Sequence, residues 1–159
     1  GDYTIAVKSF DELQYFVNLK SIGNFAFEDC HYLTSITIPD GVTSIGGYAF
    51  YNCSSLTCVT IHNGVTSIGS YTFAYCRSLT SITIPDGVTS IEGYAFGYCG
   101  SMKEVYCKST TPPAGGSGMF YNDSLERKIY VPTESVEAYK AAEYWKNYAD
   151  YIVGYDFSE

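Results

Sequence analysis

The sequence predicts a mostly β repeat solenoid, a right-handed stack of short parallel strands closed at each end by a helical cap. Three observations carry that expectation. First, "SITIPDGVTSIGGYAF" at 35–50 returns as "SITIPDGVTSIEGYAF" at 81–96, with "CVTIHNGVTSIGSYTF" at 58–73 midway, so the period is 23 residues. Second, four columns hold that period without insertion: Ile22, Ile45, Ile68, Ile91; Cys30, Cys53, Cys76, Cys99; Leu33, Leu56, Leu79, Met102; and Ile36, Val59, Ile82, Val105. Third, each unit alternates a strand-like run with a turn. One such unit cannot bury its own apolar face, so the core must run from coil to coil.

Residues 1–21 read as an N-terminal cap. "SFDELQYF" at 9–16 predicts a short helix with a capping box, Ser9 as N-cap and Glu12 three residues on. Phe10, Leu13, Phe16 and Val17 would form the apolar face that covers the first coil. Residues 22–110 read as four repeats. Within each, Leu33-x-x-Ile36-x-Ile38 has the L-x-x-L-x-L form of a leucine-rich repeat, whose strand lines the concave face. Period-two alternation turns Ile36 and Ile38 inward and Ser35 and Thr37 outward. Pro39-Asp40-Gly41 then turns the chain, and the turn recurs as His62-Asn63-Gly64 and Pro85-Asp86-Gly87. Proline lacks an N–H, so each should end its strand. The return half, Val42-x-x-Ile45-Gly46-x-x-Ala49-Phe50-x-x-Cys53, has too few apolar residues for a full helix and predicts extended pieces and 3₁₀ turns.

Residues 111–159 read as an irregular last repeat and a C-terminal helical cap. "STTPPAGGSGMFYNDS" at 109–124 breaks the register with Pro and Gly, and Phe120 takes the place of the repeat's Phe. "KIYVP" at 128–132 reads as a last strand. "TESVEAYKAAEYWKNYADYI" at 133–152 predicts a helix, with Trp145 and Tyr148 as packing anchors. The whole chain is read as one domain.

The run "SIGGYAFYNCSSL" with the "TSITIP" strand resembles the BspA-like leucine-rich repeat family of bacterial surface proteins, closely over residues 21 to about 110. That resemblance implies a non-catalytic, adhesin-like binding module at the cell surface or outside the cell. The partners it implies are proteins, including host matrix and plasma proteins, with glycans as an alternative. A structural spacer that projects another domain is the second reading, and a carbohydrate-active enzyme the third.

Composition narrows the classes further. The 159 residues carry 17 acidic and 9 basic side chains, a net charge of −8, which argues against nucleic acid because phosphate binding needs clustered Lys and Arg. No apolar run is long enough to predict membrane insertion. The chain starts at Gly1 rather than Met, which reads as removal of a targeting segment.

Candidate chemistry is sparse, and neither a cofactor nor a metal site is expected. The six cysteines lack C-x-x-C spacing for zinc. The Cys30 column, with Cys107, predicts buried free thiols, because Cys behaves as a small hydrophobe. Cys58 falls in an outward column. A Cys58–His62 dyad fails on distance, roughly 13 Å along an extended strand. His31 is the other histidine. Asp40, Asn63 and Asp86 supply one oxygen-bearing residue per coil, too few for calcium. Glu104 is the sole acid placed on the concave face, short of the carboxylate pair that glycoside hydrolysis needs.

The concave face is the remaining surface. Its outward columns read Thr34, Thr57, Thr80, Lys103; Ser35, Cys58, Ser81, Glu104; and Thr37, Thr60, Thr83, Tyr106. Thr37, Thr60 and Thr83 form a hydroxyl-bearing lawn. Tyr106 ends it with an aromatic ring among Lys103, Glu104 and Lys108, an anchor inside a polar rim. These seven are the expected binding residues. Tyr51, Tyr75 and Tyr98 on the convex turns are the alternative surface.

Overall fold

A computed structural model describes residues 8–158. The strands run in chain order as β1 (Ser21–Ile22), β2 (Ser35–Thr37), β3 (Ser44–Ile45), β4 (Cys58–Thr60), β5 (Ser67–Ile68) and β6 (Ser81–Ile84). They continue as β7 (Ser90–Ile91), β8 (Glu104–Cys107), β9 (Ala114–Gly115), β10 (Lys128–Pro132) and β11 (Ile152–Tyr155). Every pairing is parallel. Ser21, Ser44, Ser67 and Ser90 stand in register at steps of 23, and Ser90 then pairs with Ala114, a step of 24. The single added residue is the irregularity that the Pro/Gly segment announces.

Two ladders result. The odd-numbered strands β1 to β9 form one continuous five-stranded sheet on the return side. The concave side is split: β2 pairs with β4, and β6, β8, β10 and β11 make a separate four-stranded sheet. The expected unbroken concave sheet is therefore interrupted between β4 and β6. The core is slightly opened there: Val59 and Ile61 are 9% and 8% exposed, against 2% and 1% for Ile82 and Ile84. β6 ends at Ile84, immediately before Pro85, as the missing N–H requires.

Between the return strand and the next concave strand, the backbone alternates two kinds of hydrogen bond. Ala49, Tyr51 and Cys53 N–H groups donate three residues back, to Gly46, Tyr48 and Phe50, while Tyr48, Phe50 and Asn52 donate to Ser70, Thr72 and Ala74 of the next coil. Short extended pairs followed by successive i→i−3 turns therefore fill the return half, as expected. This path needs left-handed backbone twice per coil, at Tyr48 and Asn52 in one coil and at Tyr71 and Tyr75 in the next. Bulky residues rarely adopt φ > 0. Here the donor ladder and ring stacking hold them there. In the last coil the same column is Gly118, φ +65, where a Cβ would lie 2.7 Å from the Tyr94 ring.

Inside the stack, Phe27, Phe50, Phe73, Phe96 and Phe120 form a ladder of rings with centroids 5.0–5.6 Å apart. The thiol column runs beside it. Cys53, Cys76 and Cys99 donate S–H to the carbonyls of Phe27, Phe50 and Phe73 at 3.1–3.3 Å, so a small donor-bearing hydrophobe suits the position. All six cysteines are free. Cys107 is buried and Cys58 exposed, as expected. Cys30 is only half-buried, a correction to the uniform ladder, and it lies at the N-terminal end of the thiol column. Thr72, fully buried in the alanine column, donates to Gly46 and Gly69 carbonyls.

Both caps depart from expectation. At the N-terminus the helix is one 3₁₀ segment, Asp11–Tyr15, whose N-cap is Phe10. No capping box forms, since Ser9 Oγ donates instead to Asp11 Oδ2. Leu13 is buried, but Phe16 and Val17 are 54% and 74% exposed, so the apolar face closes only at its first turn. At the C-terminus the predicted helix over 133–152 is three pieces: 3₁₀ Thr133–Ser135, α1 (Val136–Ala141), and 3₁₀ Trp145–Tyr151, followed by β11. Tyr144, at φ +64, marks the break between the last two helices. Trp145 and Tyr148 are buried, as expected of anchors. Trp145 donates Nε1–H to Pro113 O at 2.7 Å and meets Phe120 at 6.0 Å, closing the end of the phenylalanine ladder. Tyr139 and Ser135 hydroxyls donate to Ser109 and Thr110 carbonyls.

Candidate functional site: the concave face

Register places the expected binding residues together. Thr37 lies opposite Thr60, Thr83 opposite Tyr106, and Tyr106 opposite Tyr130 of β10, which in turn faces Val153 of β11. The central outward column therefore reads Thr, Thr, Thr, Tyr, Tyr, Val, with its division between Thr60 and Thr83 at the sheet seam. Thr37, Thr60 and Thr83 are exposed. Among the described residues, none of their hydroxyls makes a hydrogen bond. The hydroxyls of Thr34 and Thr57 behave differently, donating to Lys8 O and Thr34 O at 3.0 Å. Thr34 and Thr57 thus tie their coils together through the hydroxyl, whereas the Thr37 column, like Thr80, leaves its hydroxyls without a protein partner among the described residues.

Tyr106 is half-buried, because Tyr130 stacks on it at 4.7 Å and 14°. Tyr155 packs edge-on against both, at 5.5 Å from each, and Phe157 meets Tyr155 at 4.8 Å. Burial, with Glu104's negative charge second, pushes the Tyr106 phenol up. Lys103, Glu104 and Lys108 are all exposed. Lys103 is paired with Glu126 at 3.3 Å, and Glu104 faces Lys128 across the ladder. The polar rim around Tyr106 thus exists, with Lys103 already engaged outside it. A recess of about 250 Å³ opens beside Tyr106, lined by Thr83, Lys108, Tyr155, Asp156 and Phe157.

Tyr130, Tyr155, Asp156 and Phe157 are the site residues that sequence reasoning missed. A signal was present. Ile152 lies 23 residues after Ile129, the period of the columns, so "YIVGY" could have been read as a further strand rather than the end of a helix.

The convex tyrosines are occupied with one another. Tyr75 and Tyr98 stack at 4.4 Å, and Tyr51 and Tyr121 flank them edge-on at 5.3 and 5.4 Å. Phe25, Tyr48, Tyr71 and Tyr94 form a second exterior stack at 4.9–5.1 Å. Their ring faces therefore shield the turns.

Among the described residues no group of three His, Cys, Asp or Glu side chains could hold a metal ion, and no helix is long and apolar enough to cross a membrane. His62 accepts Gly64 N–H at Nδ1, a turn role. His31 Nδ1 lies 3.1 Å from Asn52 O.

The most polar buried spot lies at the last coil. With its added residue, Asp123 falls 24 positions after Cys99 and occupies the thiol column, its side chain fully buried. Asp123 Oδ1 accepts Cys99 N–H at 2.9 Å, and Oδ2 lies 3.3 Å from Arg127 Nη1. Arg127 is itself wedged over Phe120, Tyr148 and Tyr151 at 5.0–5.7 Å. Burial pushes the Asp123 carboxyl up to about 8, against the opposing pull of Arg127 and the Cys99 N–H.

Three solved structures share this architecture. A leucine rich cell surface protein of Faecalibacterium prausnitzii A2-165 aligns at 30% identity and TM-score 0.63, covering 81% of this chain and 32% of its own. The Treponema pallidum (T. pallidum) leucine rich repeat protein aligns at 28% identity and TM-score 0.64, covering 72% and 53%. The pneumococcal vaccine antigen PcpA, at 16% identity, shares the fold alone, with TM-score 0.68 over 94% of this chain and 42% of its own. The chain thus spans between about a third and about half of each of these longer proteins. No curated protein matches it. The profile of the BspA type leucine rich repeat region matches residues 1–126 in 6 copies, and with the columns, register and ladders described above, the chain belongs to the BspA-type leucine-rich repeat family.

Proposed function

We propose that the chain is a non-catalytic protein-binding module of a bacterial surface or secreted protein, adhesin-like, that takes its ligand on the concave face. The observation that carries this reading is the contrast in hydroxyl use. Thr37, Thr60 and Thr83 present unpaired hydroxyls on rigid strands, beside an aromatic end formed by Tyr106, Tyr130 and Tyr155. Rigid strands lose little entropy on binding, so the surface is pre-organised. An aromatic group beside a polar rim is the usual composition of a binding hot spot. Extracellular matrix and plasma proteins are the partner class.

The test is an array of matrix proteins, plasma proteins and glycans probed with the 159-residue chain. Binding to at least one protein, lowered at least about tenfold by Tyr106→Ala with Thr83→Arg, supports the reading. Binding that ignores the double variant contradicts it. The spacer reading draws on one fact, that the chain spans only part of longer solenoids. A chain that binds nothing on the array, while its longer parent binds through another segment, would favour that reading.

A further inference from the structure

We infer that the recess beside Tyr106 is a cation cage that takes an arginine side chain of the bound polypeptide, an inference that rests on the concave-face reading. The walls are aromatic on three sides. Tyr106 and Tyr155 meet at 75° with centroids 5.5 Å apart, and Phe157 leans on Tyr155 at 4.8 Å and 58°. One face of Tyr106 is covered by Tyr130 on the β10 side. The other looks toward β6, where the residue in register is Thr83, too small to cover a ring. In the coils of β2 and β4 this column sets threonine against threonine, so within it the uncovered ring face is that of Tyr106. The face of an aromatic ring carries negative potential and attracts a cation within about 6 Å.

The charges agree. Asp156 lines the recess, and hydrogen bonds from Ser158, including its N–H at 2.9 Å, hold the carboxylate below its ordinary range and fix it in place. Glu104 lies beside the Tyr106 phenol, and Glu134 lines the adjoining recess of about 500 Å³, which shares Lys108, Tyr155, Asp156 and Phe157. Within the recess itself Asp156 stands with Lys108; around it Glu104 faces Lys128 across the ladder and Glu134 adds a further carboxylate, within a chain of net charge −8. A guanidinium fits this better than an ammonium. Its plane can stack on Tyr106 while its fork meets the Asp156 carboxylate in two hydrogen bonds. The volume of about 250 Å³ admits one such head group.

The probe is Nα-acetyl-arginine methylamide titrated into the folded chain, read by NMR on the aromatic side chains and the Thr83 methyl. Saturable shifts of Tyr106, Tyr155, Phe157 and Thr83 at on the order of 10 mM probe are expected, as for a single cation–π and carboxylate contact. Asp156→Asn, an exposed change that leaves the walls intact, should weaken the probe at least about threefold, and Phe157→Ala should do the same. Two neutral controls, the unbranched apolar Nα-acetyl-norleucine methylamide and the sugar methyl β-glucoside, should give no saturable shift. Equal shifts from either would make this an apolar or sugar subsite and overturn the assignment, as would arginine shifts unaffected by Asp156→Asn. The two readings separate cleanly. Loss of the arginine response with array binding still sensitive to Thr83→Arg removes the cage alone, whereas array binding blind to Thr83→Arg with the arginine response intact removes the concave-face reading alone.

Discussion

The two faces of the solenoid are built from the same repeat but differ in how many of their outward side chains are spent between coils: on the concave face Thr34 and Thr57 tie coils together, while Thr37, Thr60 and Thr83 do not. On the convex and return side, side chains are spent on the stack itself. Thr43, Thr66 and Thr89 each donate to a carbonyl one coil back, Asn24 accepts Gly47 N–H, Asn52 donates to Asp29, and Ser70 donates to Glu92. The tyrosines stack on one another, and the five-stranded ladder is unbroken. On the concave side the sheet has a seam, the Thr37 column is unpaired, and the aromatic end leaves one ring face open. The proposal that a partner meets the concave face rests on this difference. Unpaired groups matter as a functional signal here because the other face shows that the same repeat can pair them.

That contrast predicts where damage falls. Phe73→Ala removes the middle rung of the phenylalanine ladder, fully buried between Phe50 and Phe96. It should cost about 3–5 kcal/mol in chemical denaturation. Thr60→Ala on the concave column should change stability by less than about 0.5 kcal/mol. Equal effects at the two positions would erase the distinction between faces.

Acid dependence should localise to the last coil. Asp123 has its carboxyl raised from the ordinary 3.8 to about 8, chiefly by burial, so the folded state keeps a proton that the unfolded chain releases. Its contribution to stability is therefore full below about pH 4 and declines as pH rises towards 8. Melting temperatures recorded across that range should fall for the natural chain, and Asp123→Asn should flatten the slope. An unchanged slope in the variant would move the pH dependence elsewhere.

Thiol reactivity sharpens the same picture more gently. Cys58, exposed on the concave strand, should react first with a thiol reagent. Half-buried Cys30, raised by burial and by Asp29, should follow slowly. Cys53, pushed up to about 12 by burial, and the buried Cys76, Cys99 and Cys107 should react only after unfolding. Early labelling of Cys76 would mean that the stack opens locally. The smallest effect belongs to His62→Pro, expected to be near neutral. The two flanking turns already carry Pro39 and Pro85; the substitution loses the exposed Gly64 N–H bond to His62 Nδ1 but also removes Nε2, which is buried without a partner.

Much of this was legible because a strict period writes the core into columns. Ile36, Val59, Ile82 and Val105 share a column in the sequence and a register in the ladders. The misses share a physical cause, a residue out of step. The insertion before Ala114 hid Asp123 as the heir of the thiol column, and it hid β11, since Ile152 regains the 23-step only from Ile129. Helical composition over 133–152 also masked the strand, because local propensity yields to an available ladder. The capping box failed because Ser9 found a nearer acceptor in Asp11. The seam between β4 and β6 falls at the coil where Cys58 and His62 replace the serine and proline of its neighbours. The surroundings of Tyr106 are not legible in the periodicity because Tyr155, which packs against it, lies on β11, and Phe157 follows that strand.

The assignment of function to one face is tested most directly by a matched pair of substitutions on a single protein ligand drawn from the array. Thr83→Arg alters the concave column, and Tyr75→Arg breaks the convex stack between Tyr51 and Tyr98. With both variants confirmed folded by circular dichroism, binding measured by surface plasmon resonance should fall at least about tenfold for Thr83→Arg and stay within about twofold for Tyr75→Arg. The reverse order, with Tyr75→Arg abolishing binding and Thr83→Arg sparing it, would place the partner on the convex tyrosines and contradict the account.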